Sequence, residues 1–357
     1  MPIVKMDKIK RVADSEPIAR LRAYSGRIDS NAHSACARRD LLRRFVCTRH
    51  TIDLQLMQRT VRVETNETRI VDLARQFFRA HQHGSVRKPQ FRWRIVSESN
   101  PHLQSTAVPL SAFSDVGLRY VNIGQRSFLS LDLESREAVA FLSDRFLEDS
   151  PRFRNRPPLD ILFCMTASSL GLTPLSGACV GVKDRAVLIF GPPNSGKTTA
   201  SYLAARLGTE FHADQVVFLD TDRKMLRAWG DPFPAVFRPQ TLEFLPELRH
   251  AARCSAYADL SFYYFDKSPF QSRWARPVEP VCSIFLERAV GGETELRKIS
   301  SEEALSRLKN CLLFGEDARF DEQVSTAFRL LAANAMYDLR YDTDPKIAAT
   351  VIKEMLR

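Results

Sequence analysis

Residues 191–199 read Gly-Pro-Pro-Asn-Ser-Gly-Lys-Thr-Thr, the spacing G-x-x-x-x-G-K-[ST] that binds phosphate. Gly191 and Gly196 let the backbone close around phosphate oxygens with no Cβ in the way. The loop N–H groups then join the positive end of a following helix in holding the anion. Asn194, Ser195 and Thr199 complete the expected nucleotide-binding set. Lys197 is placed for the β- and γ-phosphates, and Thr198 offers its hydroxyl to the Mg²⁺ that accompanies them. A nucleotide with Mg²⁺ is therefore the expected ligand, and the motif by itself does not separate a kinase from an ATPase, a GTPase or a switch. Four fixed positions of these types arise by accident in roughly one chain in a hundred of this length.

Phosphoryl transfer also needs a carboxylate facing the phosphates, and Asp214 and Asp220 compete for that place. A helix from Lys197 to Leu207 carries the chain about 15 Å from the loop, and Gly208-Thr209 turns it back. The five residues Glu210–Asp214 return roughly 16 Å as a strand, which sets Asp214 level with the loop. Asp220 overshoots by about 20 Å on the same arithmetic, and the polar turn Thr221–Lys224 after it accounts for its acidity. Asp214 is the reading adopted, as a metal-side carboxylate acting through water or as the general base for an attacking hydroxyl. Gln215 stands beside it. Arg273 and Arg276, flanking Trp274, are candidates for the arginine that stabilises the transferring phosphoryl group, as is Arg238 after the proline-rich loop 230–237. His212 shares the Asp214 side of an alternating strand.

These residues need elements to hold them. The apolar run Ala186–Phe190 reads as a strand entering the loop, and Ala200, Leu203, Ala204 and Leu207 continue with helical spacing beyond it. Upstream, alternation from Thr51 to Val63 predicts strands, Arg69–Ala80 a helix, and Phe91–Val96, Leu118–Ile123 and Ser127–Leu133 further strands. Glu134–Phe146 reads as an amphipathic helix. Prolines 151, 157 and 158 mark a linker, followed by a mostly apolar helix over Leu159–Leu170. Three terminal helices, near Ser301–Leu313, Asp321–Ala335 and Pro345–Leu356, have the spacing of core packing. The expected organisation is a basic N-terminal extension (1–48), an α+β unit (49–150) and a phosphate-loop domain (151–357).

Composition sets the class. The chain has 357 residues, 44% hydrophobic and 26% charged, which fits a soluble globular protein large enough for two cores. No run approaches the ~20 apolar residues of a membrane span, and the charged start is no secretory signal, so the expectation is a cytoplasmic protein without a membrane partner. Seven scattered cysteines, none in a Cys-x-x-Cys pair, read as reduced thiols rather than a disulfide framework or zinc site. The net charge of +10 lies entirely in residues 1–100, with 21 Lys+Arg against 10 Asp+Glu; the rest has 31 against 32. Arg38, Arg39, Arg43, Arg44 and Arg49 cluster there. Without interleaved aromatics or a nucleic-acid motif they read as a solvated basic face, and nucleic acid is not an expected partner.

The stretch Leu175-Ser-Gly-Ala-Cys-Val-Gly-Val-Lys-Asp-Arg-Ala-Val-Leu-Ile-Phe-Gly-Pro-Pro-Asn-Ser-Gly-Lys-Thr-Thr199, continued by Gly208–Leu219, resembles the HPr kinase/phosphorylase family and more closely the HPr-kinase-like proteins. Pro280–Arg288 and the terminal helices also look like the C-terminal half of these relatives. The resemblance spans roughly 115–357 and is closest over 175–220. It implies an α/β fold: a P-loop kinase domain of the HPr kinase/PEP carboxykinase-like type with a mixed sheet, preceded by a smaller α+β unit. It also implies that Asp214 is the first of the family's Asp-Asp pair, with Thr198, Asp214 and Gln215 around the metal. Three departures mark a relative rather than a true HPr kinase: Ser176 stands where relatives often have histidine, Gln215 replaces the second Asp, and the glycine-rich signature beyond the pair is missing. The expected activity is transfer of the ATP γ-phosphate to a hydroxyl on a protein, peptide or small molecule. The alternative is a nucleotide-binding switch acting through a partner. Relatives form oligomers, so the resemblance implies a homo-oligomer.

Overall fold

A computed structural model describes residues 47–78, 88–98, 111–115, 117–124, 127–143, 147, 159–221, 225–248, 253–257, 260–265, 276–289, 291–313, 318–342 and 344–357. The basic cluster at 38–44 and Arg273 lie outside the described residues.

The N-terminal part is a seven-stranded mixed sheet. It contains β1 (His50–Leu56), β2 (Arg59–Thr65), β3 (Phe91–Glu98), β4 (Ser111–Asp115), β5 (Leu118–Gly124), β6 (Ser127–Asp132) and β7 (Glu137–Ser143), in the order β1-β2-β3-β7-β6-β5-β4. Strand β2 buries every second residue, as one-sided packing requires. Helix α1 (Thr68–Phe77) lays Ile70, Val71, Ala74 and Phe77 on this sheet, capped at its start by the Glu67 carboxylate, which accepts from the Arg69 N–H.

The expected helix over 134–146 is corrected. Residues 137–143 form β7, paired parallel with β3 and antiparallel with β6 in the middle of the sheet. Leu131↔Ala138 and Leu129↔Ala140 are among its cross-strand pairs. Tertiary pairing here overrides the local helical spacing.

Helix α2 (Leu159–Ala167) and a following 3₁₀ turn lead into β8 (Leu172–Ser176). Next come β9 (Ala178–Val182), β10 (Arg185–Phe190), α3 (Lys197–Arg206), β11 (Glu210–Ala213), β12 (Val216–Asp220), β13 (Arg227–Trp229), β14 (Ala235–Phe237) and the short α4 (Thr241–Phe244). The remaining elements are β15 (Arg253–Tyr257), β16 (Leu260–Phe265), β17 (Glu279–Arg288), β18 (Glu295–Lys298), α5 (Ser301–Lys309), α6 (Asp321–Ala332), β19 (Ala335–Tyr341) and α7 (Pro345–Glu354). Asp344 caps α7 and Pro345 supplies its pre-set first φ, while Ser300 caps α5.

The central sheet runs β11-β9-β10-β17-β19-β18, with β10, β17 and β19 parallel. Strand β10 is covered on both faces, which is why its sequence is continuously apolar. Val187 and Ile189 face a core formed with α3, α4, β14 and α7. Ala186, Leu188 and Phe190 face a second core with β12, α5 and α6. A third core is shared between the N-terminal sheet, α1 and α2, and it takes in Phe218, Trp229 and Phe233 from beyond residue 200.

Two buried charge clusters tie these layers together. Arg59 donates to the Met57 and Leu170 carbonyls and to Asp220 Oδ1 at 3.2 Å, and Trp229 Nε1 donates to the other oxygen of Asp220 at 3.3 Å. Asp338 on β19, 1% exposed, accepts from Arg307 at 2.8 Å and from Arg297 at 3.3 Å. Burial alone would raise the Asp338 carboxyl, but the hydrogen bonds and charges of Arg307 and Arg297 outweigh it and hold it below the usual carboxylate range.

Removing one partner of the Arg59–Asp220 pair strands a buried charge, so Asp220→Ala should cost about 3 kcal/mol or more, read as a lower urea midpoint. Joint replacement by Arg59→Met and Asp220→Leu should recover most of that loss. The lowered Asp338 pKa contributes stability that is fully present above the unfolded carboxyl value, about pH 4, and is lost as pH falls through the folded value. Urea midpoints at pH 7 and 3.5 should therefore fall less on acidification in Asp338→Asn than in the unaltered chain.

Candidate functional site

Three parallel strands end along one edge of the central sheet, and each delivers a different group there. Strand β10 runs into the glycine loop, β17 ends at Arg288 and β19 ends at Tyr341. The carboxyl edge of parallel strands is where open α/β sheets bind ligands.

The loop needs glycine at two places. Gly191 has φ 142° and Gly196 has φ 89°. A Cβ on Gly191 would strike the Leu286 carbonyl oxygen and come within 2.8 Å of Ser195 Oγ, and a Cβ on Gly196 would strike the Tyr341 hydroxyl. That hydroxyl donates to the Ser195 carbonyl at 3.0 Å and so pins the loop to β19. Burial pushes the Tyr341 phenol up from its ordinary value, more than Arg288 pulls it down, which keeps the donor protonated at neutral pH.

Lys197 opens α3, and its Nζ donates to the Gly191 carbonyl at 2.8 Å and the Pro192 carbonyl at 2.9 Å, across the mouth of the loop. Ser195 is 3% exposed, and its Oγ has no hydrogen-bond partner among the described residues. A buried hydroxyl left this way costs free energy that a ligand oxygen would recover. The loop thus fits a phosphate on observations independent of its motif: the missing Cβ atoms, the ammonium at the mouth and the unsatisfied hydroxyl.

Strand β11 brings the chain back beside the loop. Asp214, 2% exposed, follows its last residue, and its Oδ2 accepts the Val236 N–H of β14 at 3.1 Å. Asp214 and Gln215 line one cavity of about 350 Å³ together with Asn194, Gly196, Lys197, Thr198 and Thr199. Gly191 lines a second cavity, of about 330 Å³.

Asp220 has no part in either cavity lining, since Arg59 and Trp229 hold it in the N-terminal core. Arg276 is corrected as a phosphate-facing group. It is exposed and pairs with Asp184 at 2.7 Å, beside the first residue of β10 and so about 20 Å of strand from the loop. His212 is buried beside Gly181, with its Nε2 3.6 Å from Glu210 Oε2, where the β11–β9 register slips.

Arg238 and Arg288 also line the 350 Å³ cavity. Arg288 was visible in sequence only as the polar end of a long apolar strand. Tyr341 carried no local signal, because its role depends on β19 pairing with β17. Among the described residues, no group of three or more His, Cys, Asp or Glu could hold a metal ion. A metal here would take its ligands from Thr198, from Asp214 and Gln215 through water, and from a phosphate chain. Among the described cysteines there is no disulfide; burial pushes the Cys282 thiol up to about 11 and that of Cys179 higher still. No helix among the described residues is long and apolar enough to cross a membrane.

The sequence matches no protein-family model and no curated protein. Among solved structures it is similar to the HPr(Ser) kinase/phosphatase from Coxiella burnetii at 11% identity and a TM-score of 0.27, covering 52% of this chain and 93% of that one. So low a TM-score lends no weight to any reading of function; that weight rests on the geometry of the glycine loop and the residues around it.

Tyr341→Phe removes one hydrogen bond to the loop and should cost about 1 kcal/mol of stability. Gly196→Ala meets both the left-handed φ and the Tyr341 hydroxyl, so thermal melts should show the larger loss for it, about 1–3 kcal/mol.

Proposed function

We propose that the protein is an ATP- and Mg²⁺-dependent phosphotransferase acting on a hydroxyl of a protein, peptide or small molecule. The observation that carries this reading is the meeting of Lys197, Thr198 and the buried carboxylate of Asp214 in one cavity, although Asp214 comes from a separate strand. Lys197 and the loop amides hold the phosphates, and the α3 N-terminus favours their charge. Mg²⁺, held by Thr198 and through water by Asp214 and Gln215, would neutralise the charge that develops on the transferring phosphoryl group. Thr198 offers that ion a direct oxygen. Asp214, held in place by the Val236 amide, accepts the proton of the acceptor hydroxyl as that oxygen bonds to the γ-phosphorus; the bond to the bridging oxygen breaks and ADP leaves. Residues at this edge act chiefly by positioning and by charge, as phosphoryl transfer demands.

Gln215 favours a second reading. It stands in the same cavity, next to Asp214, and as an amide it accepts from a bound water without supplying charge. A chain with one carboxylate at this place would bind nucleotide and pass the signal to a partner instead of transferring phosphate.

Incubation of the full chain with Mg²⁺, γ-labelled ATP and a cell extract, followed by separation of protein from small molecules, divides the two. Transfer predicts label in one fraction, lost in both Lys197→Ala and Asp214→Asn. Lys197→Ala should also weaken ATP binding about tenfold to a hundredfold, the worth of a charge-assisted contact, whereas Asp214→Asn should bind ATP and transfer nothing. Bound ATP with no label moved in any fraction would establish the switch reading.

A further inference from the structure

The cavity lining holds three cations, Lys197, Arg238 and Arg288, against one carboxylate, Asp214. Sheet order separates them: Asp214 follows β11, on one side of β10, while Arg288 and Tyr341 end β17 and β19 on the other. Transfer through an in-line arrangement opposes the attacking and leaving oxygens. With Asp214 serving the attacking oxygen, an in-line arrangement would set the β-phosphate and nucleoside on the Arg288 and Tyr341 side.

Arg238 belongs to the other flank. The Val236 N–H is bonded to Asp214 at 3.1 Å, and Arg238 lies two residues further along the same chain, about 7 Å if extended. Its side chain is exposed and has no ion-pair partner among the described residues. Gln240, Thr241 and the 42%-exposed Phe244 continue this wall outward from Arg238. A cation, two polar side chains and an aromatic face therefore line the cavity on the stretch of chain that follows the Val236–Asp214 bond.

Resting on the phosphotransferase reading, we propose that Arg238 forms an anion subsite for the acceptor. The acceptor is then a small hydroxyl compound bearing its own carboxylate or phosphate group. That charge docks on Arg238 and presents the hydroxyl to Asp214. The hydroxyl oxygen bonds to the γ-phosphorus, its proton passes to Asp214, and ADP departs with the electrons of the broken bridging bond.

Glycerol, D-glycerate and glycerol 3-phosphate share a hydroxyl scaffold and differ in the anion. Each is titrated by calorimetry into the full chain saturated with Mg²⁺ and ADP, and ADP affinity is measured separately. At least one anionic probe should bind tenfold or more tighter than glycerol, and the two together show which anion the subsite prefers. Arg238→Gln should bring the anionic probes down to the glycerol level with ADP affinity within twofold, and Arg238→Lys should restore part of the difference. Arg288→Gln should instead weaken ADP and keep the preference among probes. Equal binding of all three probes to ADP-loaded protein overturns the subsite, as does an Arg238→Gln variant that loses ADP as strongly as Arg288→Gln; the nucleotide reading survives either result. Failure of the unaltered chain to bind ADP overturns that reading and the subsite with it.

Discussion

The close approach of the glycine loop to its two neighbouring strands is the constraint on which the site depends. The Leu286 carbonyl occupies the space of a Cβ at Gly191, and the Tyr341 hydroxyl occupies it at Gly196. Such contact is stable only if β10, β17 and β19 keep one register, and the cores on the two faces of the sheet provide that. Packing that buries Val187 and Ile189 on one side and Leu188 and Phe190 on the other also sets the height of the loop amides above the sheet. A rigid strand edge of this kind would preorganise the loop for the phosphate binding proposed for it.

The same strands build two cavities of opposite electrostatic character. Along β17 successive side chains alternate, so that Glu287 lines one cavity and Arg288 the other. Where Glu287 points, Arg307 is already matched by Asp338 and Glu303, and its guanidinium lies 5.5 Å from the Phe285 ring centroid. Those charges are satisfied internally and hold β19 to α5. Where Arg288 points, the lining carries Lys197, Arg238 and Arg288 against Asp214, so positive charge exceeds negative. One step of the strand pleat thus separates a structural ion cluster from a cavity lined by more cations than carboxylates.

Legibility in the sequence tracked the range of the interaction. The glycine loop could be read because its chemistry is local, and the Asp214 position because a helix and a strand of known rise connect it to the loop. Arg276 misled because nothing in its own neighbourhood shows that Asp184, at the far end of β10, will pair with it. Residues 134–143 misled differently. Glu, Ala and Leu there favour a helix, but the open slot between β3 and β6 rewards an extended chain that buries Ala138, Ala140 and Leu142. Arg288 and Tyr341 were silent for the same reason: strand adjacency in a parallel sheet is not written in the strands themselves.

Phe233 gives the molecule a property that neither of its halves would have alone. Its ring lies 5.3 Å from that of Phe77 and 5.8 Å from that of Phe78, inside the N-terminal core, while three residues later Val236 holds the Asp214 carboxylate. The segment 233–236 therefore runs from the N-terminal core to the Asp214 carboxylate. Local opening of the helix–sheet packing at Phe77 would free the ring within a four-residue span of the amide that holds the carboxylate. The N-terminal core and the Asp214 carboxylate are thus joined by the covalent continuity of four residues, without a moving part between them.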